Sequence, residues 1–213
     1  MTKKYISNKD ESARLFGNNL LESLSKVHWS VPLFVFVPII LALLYWGVAE
    51  FQLDTKSVII YFIFGLVVWT FTEYTLHRFL FHFNFKSDFG KRIHFLIHGV
   101  HHDYPNDSKR LVMPPAVSLP LAAFFWFLFI YIFGVEINSI LFSGFLAGYI
   151  FYDMTHYAVH HYNFRSKFWI AIKNHHFLHH YKNSQKGYGV SQPTWDYVFG
   201  TSFKEEKGGK EVR

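Results

Sequence analysis

Ten of the fourteen histidines in this chain fall in four short clusters whose spacing suits metal coordination. In "HGVHH" (His98, His101, His102) and "HFLHH" (His176, His179, His180) the rings sit at i, i+3 and i+4, which stacks them along one face of a helix. "HYAVH" supplies the i, i+4 pair His156 and His160. His77 and His82, in "HRFLFH", are five residues apart. On a regular helix that separation points two side chains about 140° away from each other, so this stretch predicts a distorted helix end or a one-residue π-bulge. Ten imidazoles are too many for one metal. Shared between two ions they give about five each and leave a six-coordinate metal one open position.

The remaining four histidines, His28, His94, His161 and His175, stand alone or beside a better-placed ligand and read as surface residues. Only His94 has a second claim, as i−4 from His98. The chain has no cysteine, which excludes disulfides, thiolate metal sites and iron–sulfur clusters and leaves nitrogen and oxygen as donors. No HExxH is present and no glutamate stands inside a cluster, so the zinc-protease arrangement fails. A structural zinc takes four ligands, fewer than are offered. Imidazole suits iron, zinc, copper or nickel alike. A dimetal centre beside a lipid chain points to dioxygen activation, which needs a redox metal. Iron is therefore expected, with zinc, which binds more tightly, as the competitor in purified protein.

The elements that must position these clusters are apolar. The chain is 51% hydrophobic and 21% aromatic, with its apolar residues in long blocks. Residues 31–49, 57–74, 117–134 and 139–154 each approach the roughly 20 residues needed to cross a bilayer core. Five Lys or Arg precede the first block, six lie between the second and third, nine follow the fourth, and Lys56 alone falls in the remaining loops. The positive-inside rule then predicts an integral, multi-pass membrane protein with both termini and the metal site on the cytoplasmic side. That topology accounts for the net charge of +6 without nucleic acid. The first block reads as a retained span and not a signal peptide. The expected organisation is all-α: a cytoplasmic N-terminal segment (1–30), a membrane domain (31–203) of about four transmembrane helices with a cytoplasmic helical cap (77–115 and 156–203), and a disordered tail (204–213).

"HRFLFH", "HGVHH", "HYAVHH" and "HHFLHH" resemble the histidine boxes of the fatty acid hydroxylase and sterol desaturase superfamily. "EYTLHRFLFH", "RLVMPP", "GYIFYDMTHY" and "GYGVSQPTWDYVFGT" bring the resemblance to its fatty acid 2-hydroxylase branch, over residues 24–203. The resemblance implies a membrane monooxygenase that uses dioxygen and external electrons to hydroxylate a fatty acid or ceramide acyl chain beside its carbonyl. It carries onto His77, His82, His98, His101, His102, His156, His160, His176, His179 and His180 as metal ligands, the ten that spacing selects. It also implies that Tyr149, Tyr152 and Asp153 lie near the substrate head group or behind the histidines. An aspartate closing an apolar span is costly unless paired, and metal-bound histidines commonly donate their second N–H to a carboxylate or carbonyl. Asp196 is a further candidate to orient a ligand, and Trp195 an interfacial anchor.

Many eukaryotic members of this family carry an N-terminal haem domain of the b-type cytochrome kind. No HPGG motif precedes the first span here. The expected reductant is therefore a separate electron donor, such as a b-type cytochrome or a ferredoxin with its reductase. The competing readings are another oxidation by the same centre (desaturase, carotenoid or sterol hydroxylase), a divalent-metal transporter, and a metal-stapled structural protein. A transporter would place its site near the bilayer midplane, whereas these clusters lie at the span ends.

Overall fold

The computed structural model describes residues 4–203. The tail 204–213, expected to be disordered, lies outside the described residues. Among the described residues every regular element is helical, in the order α1 (Asn19–Leu24), α2 (Val31–Phe51), α3 (Thr55–Leu76), a π-helical turn (His77–Phe81), α4 (Asp88–His94), a second π-helical turn (Phe95–Gly99), α5 (Val100–Asp103), α6 (Pro115–His161), α7 (Lys167–Tyr181) and α8 (Thr194–Val198).

Helices α2, α3 and α6 are long and apolar enough to cross a membrane. Pro32 sits in the first turn of α2, where its missing N–H costs nothing. The helix stops at Gln52, which takes a left-handed conformation (φ 52°). Two residues on, the Asp54 side chain accepts from the backbone N–H groups of Lys56 and Ser57 at 2.8 and 3.0 Å and starts α3. So short a link sends α3 back antiparallel to α2, and each packs against α6 rather than against the other.

α6 is two helices in one. At Gly134 the backbone leaves the helical region (φ 79°, ψ 163°), a conformation that glycine tolerates. On a straight helix Phe125 and Phe145 would stand about 30 Å apart, yet their ring centroids lie 5.1 Å apart. Trp126 and Phe142 are likewise within 5.3 Å. Residues 115–133 and 135–161 therefore fold back as a hairpin. The sequence places a loop at 135–138 and ends the fourth apolar block at 154; the chain instead turns on Gly134 alone and stays helical to His161. Asp153 ends the apolar pattern but leaves the backbone hydrogen-bond ladder intact, so His156 and His160 ride on the same helix as the apolar block.

The arm 135–161 is the centre of the bundle. Asn138 to Leu146 are buried without interruption, as in a helix enclosed on all sides. α3 lies unusually close to it. A Cβ on Gly65 would sit 1.9 Å from the Leu141 carbonyl oxygen, and one on Gly144 would sit 2.0 Å from that of Phe62. This is the small-residue contact that lets apolar helices pack backbone to backbone. Phe36, Ile40, Trp69, Phe145 and Tyr149 fill the space around it. The outer faces are the reverse of a water-soluble surface: Phe34, Tyr45, Ile63, Phe127 and Tyr131 are exposed.

Both hairpins turn at one end, since Gly47 faces Ser139 and Phe64 faces Phe133. All four histidine clusters lie at the other. There residues 4–27 run across the loop after α5 as a strap. Ile6 and Ser7 donate to the Asp103 carbonyl, Ser108 donates to Asp10 at 2.9 Å, and Val27 donates to the Lys109 carbonyl at 2.8 Å. Arg110 is buried beneath the strap, paired with Glu22 at 2.8 Å and bonded to the Ala13 carbonyl.

Candidate metal centre

The ten clustered histidines come together as two groups of five. His77, His82, His98, His102 and His179 form one, and His101, His156, His160, His176 and His180 the other. Within each group the nearest ring nitrogens all lie within 4.8 Å of one another. The helical spacings are used crosswise. Each i, i+4 pair (98 and 102, 156 and 160, 176 and 180) serves a single group, while the i+3 residue between (101, 179) turns to the other. The groups touch: the His102 and His180 rings stack with centroids 4.3 Å apart.

The π-bulge expected between His77 and His82 is present. The His82 N–H donates to the His77 carbonyl at 3.1 Å, an i→i+5 bond that swings the two rings to the same side. The second π turn, at Phe95–Gly99, has no counterpart in the sequence reading. It breaks the helical register between His94 and His98 and leaves His94 outside both groups, beside Phe85. His28 bonds to Ser30, His161 stacks on Tyr157, and His175 faces Asp196 at 3.1 Å.

The first group is set for a cation. The His77 Nδ1–H donates to the Tyr188 carbonyl at 2.6 Å, which makes its Nε2 a lone-pair donor. That Nε2 lies 3.1 Å from His98 Nε2 and 3.2 Å from His82 Nε2. The His179 Nδ1–H donates to the Lys186 carbonyl at 2.7 Å, and its Nε2 is buried without a protein partner. Burial, reinforced by neighbouring histidines, holds the His82, His98, His102 and His179 rings below the ordinary histidine pKa, so they are neutral at pH 7. His77 Nε2 carries no proton, and with His82 and His98 Nε2 it forms a triangle of about 3 Å edges in which N–H···N bonds cannot satisfy every contact; a cation among them would take all three lone pairs. His101, His176 and His180 in the second group are lowered for the same reason. The donor set fits two imidazole-bound metals.

A cavity of about 330 Å³ opens beside both groups, touching His98 of one and His101 of the other. Its walls are mainly apolar: Leu15, Phe16, Leu21 and Leu24 from the strap, Leu111 and Val112 from the segment before α6. Tyr152 and Asp153 supply polar groups. Asp153 makes no hydrogen bond to a histidine; it accepts from the Met113 N–H at 3.3 and 3.4 Å and so fixes the "RLVMPP" segment as the cavity wall. Tyr152 lies against His156, with centroids 5.8 Å apart. Tyr149 packs lower, between Phe36 and Trp69.

Asp196 is buried and collects four contacts: the N–H groups of Tyr188 and Gly189 at 2.9 and 2.7 Å, the Thr201 hydroxyl at 2.7 Å, and His175. Burial raises its pKa, but the bonds from His175, Thr201, Gly189 and Tyr188 outweigh it and hold the carboxyl below its usual range. Trp195 donates to Thr70 at 3.1 Å, tying this segment to α3. Glu73, which the sequence reading left without a role, is buried at the end of α3 and accepts from the N–H groups of Val190 and Ser191 at 2.7 and 2.8 Å and from the Ser191 hydroxyl. A glutamate four residues before a histidine inside an otherwise apolar helix was the available signal.

With this geometry in hand, a model of the fatty acid hydroxylase family matches residues 62–201. The chain belongs to the fatty acid hydroxylase family. It is 37% identical to the fatty acid 2-hydroxylase of Rattus norvegicus, over 92% of this chain and 58% of that protein. It is 35% identical to the dihydroceramide fatty acyl 2-hydroxylase FAH2 of Arabidopsis thaliana, over 90% of this chain and 80% of that one. The ceramide very long chain fatty acid hydroxylase scs7 of Schizosaccharomyces pombe is 40% identical over 89% of this chain and 55% of its own. The chain thus spans little more than half of the rat and fission yeast relatives. Among solved structures, full-length scs7p with only its hydroxylase domain visible superposes with a TM-score of 0.84 at 38% identity, covering 90% of this chain and 72% of that one. A hydroxylase family favours neither desaturation nor metal transport.

Proposed function

We propose that this chain is a membrane-bound dimetal monooxygenase that hydroxylates a lipid acyl chain at the carbon next to the carbonyl, on a fatty acid or a ceramide. The observation that carries the reading is the apolar cavity that reaches one histidine of each five-histidine group, because an acyl chain lying in it meets both metals at once. The ten clustered histidines would hold the two metals, iron for the reaction. When bound, these supply the activation of dioxygen: one oxygen atom enters a C–H bond, and the other leaves as water with two electrons and two protons from a redox partner. The chain's own part is placement. The strap and the 111–113 segment enclose the apolar tail and exclude water. Tyr152 and Asp153, which supply polar groups to the cavity lining, would orient the head group. Residues 1–30 would be the N-terminal segment that carries the strap (4–27), 31–203 the catalytic domain, and four apolar segments the membrane base. The distribution of basic residues supports placing the metal centre on the cytoplasmic side.

The test compares His101→Ala, His179→Ala and His28→Ala in metal content and lipid product. The first two remove a ligand from different groups and are expected to lose bound metal and turnover. His28→Ala is expected to keep both. Equal loss from His28→Ala would sink the assignment.

A further inference from the structure

We propose that Glu73 and Asp196 are positioning residues that act through the backbone of residues 186–191 on one of the two metal sites only, that of His77, His82, His98, His102 and His179. This rests on reading the two histidine groups as metal sites.

The two buried carboxylates grip four consecutive peptide N–H groups. Asp196 takes those of Tyr188 and Gly189, and Glu73 those of Val190 and Ser191. With its donors fixed on that side, the segment turns carbonyls the other way, Tyr188 to His77 Nδ1 and Lys186 to His179 Nδ1. Glycine makes the close path possible: a Cβ on Gly189 would lie 2.0 Å from the Gln192 carbonyl oxygen and 3.0 Å from Asp196. The Tyr188 ring also contacts His77, His82 and His179, at centroid distances of 5.7 to 5.8 Å. Every one of these contacts goes to the same five-histidine group. In the other group, the Nδ1 atoms of His101, His156, His160, His176 and His180 are buried with no protein partner. The sites are therefore unequal. One has histidines whose tautomer and orientation are set by carbonyls held from two carboxylates; the other relies on helix packing alone. Such outer partners commonly contribute 10- to 100-fold in metal affinity.

The experiment is a zinc titration of the full chain in detergent, against a competing chromogenic chelator. It compares the unaltered protein with Glu73→Leu, Glu73→Gln and Ser191→Ala. The unaltered chain is expected to take up two equivalents; failure to do so would remove the two-site reading itself. Glu73→Leu deletes all three bonds and is expected to weaken one equivalent by about 10- to 100-fold while the second binds as before, which also reports an intact fold. Glu73→Gln retains an oxygen for the Val190 and Ser191 N–H groups and is expected to restore both. Ser191→Ala, which leaves α3 untouched, is expected to weaken the same single equivalent to a smaller degree. Two unaltered equivalents in Glu73→Leu, or equal weakening of both in Glu73→Leu or Ser191→Ala, would overturn the proposal.

Discussion

Replacing Glu22 with glutamine should unlatch the strap that closes the cavity. The Glu22 carboxylate accepts on Oε2 from the N–H groups of Leu15 and Phe16 at 2.9 and 3.1 Å, and on Oε1 from Arg110 at 2.8 Å and Lys26 at 2.7 Å. Glutamine keeps the shape but has one acceptor oxygen, so either the two amides or the two cations must face an NH2 group. Arg110 is 4% exposed, and removing one partner of a buried ion pair costs about 3 to 5 kcal/mol. Arg110 keeps Asp107 at 3.5 Å and the Ala13 carbonyl, which sets the loss at the lower end, about 3 kcal/mol. At about 1.4 kcal/mol per tenfold, strap opening rises about 100-fold. Amide hydrogen exchange of Leu15 and Phe16 in detergent should quicken by that factor, with the 138–146 amides unchanged. Acyl turnover should fall with it, because Leu15, Phe16, Leu21 and Leu24 wall the cavity. Unchanged exchange at residues 15–16 would refute the latch, and acceleration throughout the bundle would refute its confinement to the strap.

Further predictions concern acid, packing and cavity length. Burial raises the Glu22 pKa, but Lys26, the Leu15 and Phe16 amides and Arg110 more than offset this and hold it down to about 2, against 4.5 when unperturbed. A carboxyl depressed by folding stabilises the folded state above its unfolded pKa, so strap protection should be full above pH 4.5 and fade as pH falls toward 2; protection factors at residues 15–16, corrected for the intrinsic pH dependence of exchange, that stay constant over that window would contradict it. Gly65→Ala forces a Cβ against the Leu141 carbonyl and should lower thermal stability by about 1 to 3 kcal/mol, measured as loss of helix on heating. Ala116→Trp places an indole in the cavity wall and should shift products toward shorter acyl chains in competition assays; an unaltered product distribution would place the chain elsewhere.

The histidines were legible in the sequence because helical spacing is a local signal. The i, i+4 pairs and the strained five-residue gap at His77 and His82 followed from side-chain direction alone. The crosswise sharing did not, because which group His101 or His179 joins depends on how α6 and α7 meet the cap. The break in the apolar pattern at Gly134, Glu136 and Asn138 marked the turn to within a residue, but not that Gly134 alone makes it with helix on both sides, because that depends on one backbone conformation. The contacts of Glu22 with Arg110 and of Glu73 with residues 190–191 join positions 88 to 118 residues apart, and half of them run from side chain to backbone. Such bonds leave no periodic trace. Asp153 was legible as a buried group needing a partner; that the Met113 amide bonds to it was not, because the contact spans 40 residues of sequence.

The most direct test of the central claim is mass spectrometry of lipids from a host that expresses this chain with a ceramide-type substrate, under isotopically labelled dioxygen. The account predicts a product carrying one labelled oxygen on the carbon beside the acyl carbonyl, absent with His179→Ala. Label at another carbon, a double bond without added oxygen, or the same product from His179→Ala would contradict it.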